Sequence, residues 1–327
     1  MKTKQENIFS SKTLSYFLQL AETMNYTQAA QILGITQPAL TQQIKKLERT
    51  VGAPLFFSVG KKLHLSDAGA TMLAATQEIY EVLNQATDEI QRSTSATSGA
   101  ISVGFLASIE DSVFNAFIAK YYKMHPDINV NFRMMTRREI WERLENNQID
   151  LAVMYLPDDS IKNWKPYESR TIFNEQLMFL HHDDVLAGRD TVSFNETVDN
   201  RPWVSYPDDY FLAHLMREMY KNQLVTLPKP VAQFTTPFQI AEFSNRTNVD
   251  TALPASFYVA HKNEITAEAA SFEPAINFEL SFVFRKGKDQ IPRIANFLDE
   301  LDAYLAEEDY LSRIVKDSGR MLADSNK

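Results

Sequence analysis

Apolar residues recur at spacings of three and four through the first fifty positions, and such stripes mark helices that bury one face. Leu14, Phe17, Leu18 and Ala21 form one stripe, and Leu40, Ile44, Leu47 and Val51 form another. Between them, Thr27 is placed to cap a short helix through Gln31–Leu33, and Gly34 to end it with a left-handed residue. Thr36 then caps the helix of the second stripe, with Pro38 in its first turn, where a missing N–H costs little. The expected unit is two short helices joined by a tight turn, a preceding helix, and a small β wing. The polar face of the last helix holds Gln37, Thr41, Gln42, Lys45 and Arg49. Uncharged hydrogen-bonding groups lead and cations follow, an order suited to base edges and then phosphates. An ordinary surface helix pair has the same periodicity, so the stripes alone leave both readings open.

Beyond Ser66 the period changes. Ala68, Ala75 and Val82 lie seven apart, as do Met72, Ile79 and Ala86, an alternating four-three seam that runs to Glu89. A period of 3.5 belongs to a two-stranded coiled coil, although a helix packed on its own domain is the plainer alternative. The small polar stretch from Ser93 to Gly99 reads as a hinge. Strands and helices then alternate: strands over 101–106, 128–134 and 149–155, with helices over 112–124 and 137–147 between them. A second set follows, with strands over 176–181, 202–206, 230–234 and 248–253 and helices over 209–222 and 237–245. The strand 278–285 and the helix 291–306 return to the first set. This rhythm predicts parallel strands, right-handed crossovers and two α/β lobes with a cleft between them, where ligands settle at the carboxyl ends of strands.

Charge divides the chain in the same place. Residues 1–66 contain eight Lys/Arg and three Asp/Glu, a net of +5, whereas the whole chain is −9, so residues 67–327 carry −14. A basic head on an acidic body confines phosphate attraction to the head. The chain has no cysteine, which excludes disulfides, thiol nucleophiles and thiolate metal sites. No secretory signal and no membrane-length apolar run is visible, so a cytoplasmic protein without membrane partners is expected. No GxGxxG, Walker-type loop or GxSxG elbow occurs, no cofactor is expected, and nothing points to an enzyme. His181-His182-Asp183-Asp184 is the one cluster that suggests a metal. Adjacent side chains on an extended chain diverge, so a polar loop is the expected reading.

The head resembles the winged helix-turn-helix of LysR-type transcriptional regulators. Ala29-Ala30, Leu33, the run Thr36-Gln37-Pro38-Ala39-Leu40-Thr41, Ile44, Leu47-Glu48, Gly52, Leu55-Phe56 and Leu65-Ser66-Asp67-Ala68-Gly69 stand at that family's spacings. The second half resembles the family's periplasmic-binding-protein-like effector domain through element order, Gly104, Asp150-Leu151-Ala152 and Leu253-Pro254. The resemblance implies an α + α/β chain. A winged helix-turn-helix would span 9–67, a dimerising linker helix 68–94, a hinge 95–100, and a two-lobed effector domain 101–310. Lobe 1 would take about 101–170 and 275–306, lobe 2 about 171–274, and 311–327 would be a tail. It implies a DNA-binding regulator that responds to a small metabolite, dimerises through the linker and assembles as a tetramer; hydroxyls at the helix starts around the cleft make an anionic metabolite the expected one. A constitutive regulator with a vestigial pocket is the alternative, and a solute-binding protein or enzyme with an appended head a remoter one.

For DNA, the resemblance and the polar face nominate Thr27, Thr36, Gln37, Pro38, Thr41, Gln42 and Lys45, with Lys61 and Lys62 on the wing. For the effector, strand ends and family pattern nominate Ser108, Thr136, Tyr155, Tyr206, Thr235 and Thr236, hydroxyls suited to a carboxylate without a charged partner. Two departures from the family pattern stand out. The arginine common on the wing is Ser58, and the glycines common before the second-lobe Leu-Pro are replaced by Arg246-Thr247-Asn248-Val249-Asp250.

Overall fold

The computed structural model describes residues 9–60, 62–93, 96–158, 166–198 and 201–316, with Arg92 as backbone alone. The chain divides into two compact units, one up to Glu89 and one from Ile90.

The first unit packs three helices, α1 (Ser11–Thr23), α2 (Tyr26–Ile32) and α3 (Gln37–Val51), against a hairpin of β1 (Phe56–Val59) and β2 (Lys62–Leu65). Phe17, Leu20, Leu40, Ile44 and Leu47 are fully buried in its core. Leu18, expected in the α1 stripe, is only half-buried; Leu20 takes the inward place. Thr36 caps α3 by accepting from the Ala39 N–H, and Gly52 closes that helix at φ +76. The cap of α2 differs from expectation. Asn25 performs it, its side-chain oxygen accepting from the N–H groups of Thr27 and Gln28, so Thr27 lies inside the first turn. Glu48 turns inward, its Oε1 accepting from the N–H groups of Leu55 (2.8 Å) and Phe56 (3.3 Å) where the wing begins. The long helix α4 (Asp67–Arg92) starts against this hairpin. A Cβ at Gly69 would lie 2.0 Å from the Leu55 carbonyl oxygen, so only glycine permits that approach. Farther on, the Tyr80 hydroxyl donates to the Ser11 carbonyl at 3.0 Å and so ties α4 back to α1. The outer seam stays uncovered in the single chain: Ile79, Val82, Leu83 and Ile90 are all exposed.

The second unit is built on one mixed sheet. It contains β3 (Gly99–Leu106), β4 (Ile128–Met135), β5 (Leu151–Leu156), β6 (Tyr167–His181), β10 (Thr251–Pro254) and β11 (Glu268–Arg285). Their order is β10-β6-β11-β5-β3-β4, with the short β7 (Thr191–Ser193) beside the start of β11. Strands β3, β4 and β5 are parallel, joined by α5 (Ser112–Met124) and α6 (Arg137–Glu145). Two antiparallel strands, β6 of 15 residues and β11 of 18, run through both lobes. Their pairing shifts register between Ser271 and Ile276, a stretch that includes Pro274, which cannot donate to a ladder. The second lobe adds the pair β8 (Trp203–Ser205) and β9 (Pro230–Gln233), with α7 (Phe211–Asn222), α8 (Pro237–Thr247) and the short α9 (Ala255–Ala260). Helix α10 (Pro292–Glu307) returns to the first lobe, where Phe297 packs on Phe117 and Tyr121.

Two differences from the sequence reading have clear causes. The strands 176–181 and 278–285 are longer than expected because each is the partner that satisfies the other's backbone. Residues 311–316, assigned to a tail, continue a helix that begins at Tyr310, and Tyr310 and Ile314 are buried in the core. The missing glycines are compensated as well: Asn248, at φ 54, supplies the left-handed C-cap of α8.

Candidate functional site

On the head, α3 separates packing from presentation. Leu40, Ile44 and Leu47 face the core, whereas Gln37, Pro38, Gln42, Lys45 and Arg49 are exposed and Thr41 is half-exposed. The Thr41 hydroxyl donates to the Gln37 carbonyl at 2.9 Å, so it presents lone pairs outward and can accept from a base amino group. The Thr36 hydroxyl is engaged as a cap, and Thr27 is exposed one turn before the helix–turn. Lys62 is exposed at the tip of the wing, opposite Val59; Lys61 lies outside the described residues. Phe57 and His64, cross-strand partners in the wing, stack at 5.6 Å with Phe57 exposed.

In the second unit, a cavity of about 340 Å³ opens between the lobes. Ser108 of the loop after β3 and the first residues of α6, from Thr136 to Glu139, form one wall. Tyr206 after β8 and the start of α7, from Asp209 to Leu212, form the other. Three of the six nominated effector residues therefore line it: Ser108, Thr136 and Tyr206. Tyr155 does not. It is fully buried beneath the cavity, its ring edge-on to Phe278 at 4.8 Å and its hydroxyl donating to the Ser108 carbonyl at 3.4 Å. Thr235 and Thr236 are also absent from the wall; Thr236 caps α8, and both donate to Gln239.

The donors of the two walls are in different states. Thr136 is spent in a capping box: its hydroxyl donates to Glu139 at 2.9 Å and accepts from the Glu139 N–H. Hydrogen bonds from the Thr136 backbone and hydroxyl, with smaller help from Arg143 and Arg138, outweigh burial and hold the Glu139 carboxyl below its ordinary range. Arg137 is engaged through its two terminal nitrogens, while its buried Nε has no hydrogen-bond partner among the described residues. Its guanidinium pairs with the buried Asp158 at 2.5 Å, donates to the Tyr155 carbonyl at 2.8 Å and stacks on Phe211 at 4.5 Å. Across the cleft, no side chain caps the start of α7, and the buried Tyr206 hydroxyl has no hydrogen-bond partner among the described residues. Burial pushes the Tyr206 phenol far above its ordinary range, so it remains a neutral donor. Asp209, Tyr210 and Phe211 were missed by the sequence reading; they follow the nominated Tyr206 by three to five residues, and only the helix start carries them back to the wall. Among the described residues, no group of acidic or imidazole side chains could hold a metal ion, and His181 stacks on Phe179 inside the second lobe.

The comparisons agree with this division. Residues 11–70 match the model of the bacterial regulatory helix-turn-helix protein, lysR family, and residues 94–306 match the LysR substrate binding domain. The chain is 27% identical over 297 residues to the uncharacterized HTH-type transcriptional regulator YnfL of Escherichia coli (strain K12), covering 87% of this chain and 95% of that protein. It is 29% identical over 212 residues to the uncharacterized regulator YybE of Bacillus subtilis (strain 168), covering 64% and 70%. Among solved structures it shares a fold with HinK, a LysR family transcriptional regulator from Pseudomonas aeruginosa, at TM-score 0.55 and 19% identity, covering 91% of this chain and 98% of that one. No described helix is long and apolar enough to cross a membrane. With a DNA-reading head and a two-lobed effector domain both matched, the chain belongs to the LysR family of DNA-binding transcriptional regulators.

Proposed function

We propose that this regulator changes its promoter binding or bending when a small metabolite with an acidic group occupies the cleft between its lobes. One observation carries the choice of ligand. Two open donors of the cavity, the uncapped start of α7 and the Tyr206 hydroxyl, are neutral, and the buried arginine, although its Nε has no partner among the described residues, has its charge neutralised by Asp158. Helix N-termini and a neutral phenol favour a carboxylate through hydrogen bonds and dipole without a counter-ion. Aromatic side chains at Tyr206, Tyr210 and Phe211 suit a flat or unsaturated body.

On DNA, Gln37 and Pro38 enter the major groove first and Thr41 and Gln42 follow. Lys45 reaches phosphate, Lys62 and Lys61 serve the wing, and Thr27 and Thr36 sit at helix starts facing the backbone. The exposed stripe of Ile79, Val82 and Leu83 supports pairing of linker helices between two copies, and a tetramer would place two pairs of heads on one promoter. A dimer of heads implies a pseudo-palindromic site with half-sites one helical turn apart. Such a protein acts in the compartment that holds the DNA, which in a bacterium is the cytoplasm.

A constitutive regulator with a vestigial pocket is the second reading, favoured by the internal use of Arg137 and Thr136. DNase footprinting on DNA flanking its own gene, with and without pooled metabolite fractions, separates the two. A footprint whose extent or bend changes with one fraction, and ceases to change in Y206F, supports the effector reading. Protection indifferent to every fraction supports the constitutive reading, and no specific protection at low salt would overturn both.

A further inference from the structure

The effector cavity shares its first wall with a second interlobe contact. Two residues beyond Ser108, the loop between β3 and α5 carries Glu110, and its Oε2 meets Nε2 of His261 at 2.9 Å. Glu110 belongs to the lobe of β3, β4 and β5; His261 is the C-cap of α9, in the lobe of β8 to β10. Among the described residues this is the one ion pair that bridges the lobes; the others join groups of a single lobe or of the C-terminal helix packed on it. Both side chains are largely enclosed, 6% and 19% exposed, so the pair is screened little by solvent.

Each partner is held in place by its own lobe. The other oxygen of Glu110 accepts from the Ser112 N–H at 3.1 Å, and the Tyr310 hydroxyl donates to the Glu110 carbonyl at 3.1 Å. The His261 ring lies against Phe238 of α8 and Phe257 of α9, each with centroids 4.6 Å away. The contact is thus a bond between two rigid mounts, and it cannot survive lobe opening.

We propose that Glu110 and His261 form a proton-controlled latch that holds the effector cleft closed, so that pH sets how readily the cleft opens. This rests on the reading of the domain as effector-responsive and adds a second input to it. The charged groups around the imidazole are few: Glu110 and the neighbouring Asp111 from one lobe, and Glu264, 3.6 Å from Nδ1, from its own turn. Helices α8 and α9 contribute aromatic faces, and the C-terminal helix contributes the Tyr310 hydroxyl. Burial alone would depress the imidazole, but the hydrogen bond and charge of Glu110, with Glu264, outweigh it and raise His261 above its ordinary range. Burial would likewise raise Glu110, but His261 and the Ser112 N–H outweigh it and hold the carboxyl below its ordinary range. A raised imidazole contributes closure that is fully present below its pKa in the open state and is lost as pH rises through its closed-state value. A depressed carboxylate contributes closure that is lost only as pH falls through its own lowered value. The latch is therefore charged on both sides between those limits, and its physiological release lies on the alkaline side.

The absence of cysteines permits a direct test on the full chain. Spin labels at K123C on α5 and K221C on α7, both exposed helix positions, report the spacing of the lobes by pulsed electron resonance. Labelled chain is diluted tenfold into unlabelled chain so that distances within one chain dominate in any oligomer. Without effector, the ratio of short to long distances should fall by up to about tenfold per pH unit between the open-state and the raised closed-state pKa of His261, the limit for one linked proton, and level off above. E110Q and H261Q should give the long distance with no pH dependence, their folding checked by circular dichroism. A wild-type spacing constant from pH 5.5 to 8.5 would overturn the latch, as would a pH shift that persists in E110Q or, should that variant fail to fold, in H261Q. Because no metabolite is added, failure here leaves the effector reading to the footprint, and failure of the footprint leaves the latch to this measurement.

Discussion

The reading head and the effector cleft stand in opposite relations to their cores. In the head, one helix turns Leu40, Ile44 and Leu47 inward and Gln37, Gln42 and Lys45 outward, so packing and recognition occupy separate faces. In the cleft, the wall is the core: Tyr206 is 2% exposed, Tyr155 beneath it is fully buried, and Arg137 lines the cavity while neutralising Asp158. Substitutions in the head should therefore separate stability from binding, and those in the cleft should mix them.

The sharpest way to break this comparison is at Arg137. R137M strips the buried Asp158 of its counter-ion, which costs about 3–5 kcal/mol in comparable cases. Urea unfolding should show a loss of that order; a loss near zero would mean that the arginine is free to serve a ligand instead. Next in size is a pair on α3. I44A should cost about 2–5 kcal/mol of stability through a core cavity. Q42A should leave stability within about 0.5 kcal/mol and remove about 1–3 kcal/mol of base discrimination, read by competition between operator and mutated operator. Equal stability losses in the two variants would show that the faces are not independent.

Y206F sharpens the contrast from the other side. It removes a buried hydroxyl without a partner at constant shape, so thermal stability should rise by about 1 kcal/mol while the response to effector weakens. A stability loss would mean that the hydroxyl is satisfied in the free protein. The smallest effects concern the cap of α2. N25A should cost about 1 kcal/mol in the head, whereas T27A should leave stability nearly unchanged and weaken DNA binding only if its hydroxyl meets the backbone.

Local physics made the head legible. Thr36, Pro38, Gly34 and the Leu40–Ile44–Leu47 stripe act within one or two helical turns, and the structure uses each of these as the spacing implies. Even so, Asn25 displaced Thr27 as a cap, because the helix begins two residues earlier than a Thr27 cap implies and Asn25 bonds the N–H groups orphaned there. The effector domain was legible as an alternation of elements but not in its joints. Residues 167–175 alternate polar and apolar weakly and show no strand run of their own. They are strand because β11 supplies the ladder from a hundred residues away. The cavity was half legible: Ser108, Thr136 and Tyr206 were reachable from strand ends, whereas Tyr155 follows the same rule and is buried beneath.

By itself, the sequence determined the element types and the basic head, because helix periodicity, caps and charge are properties of neighbouring residues, and the motif residues of the head carried the resemblance to the family. Tertiary structure decided which hydroxyls are spent and which are open, that Arg137 serves Asp158, and that Glu110 meets His261 across 151 positions of chain. Those outcomes depend on which polar groups find partners when distant segments close a core. That competition is settled by desolvation and geometry in three dimensions, and spacing along the chain carries no record of it.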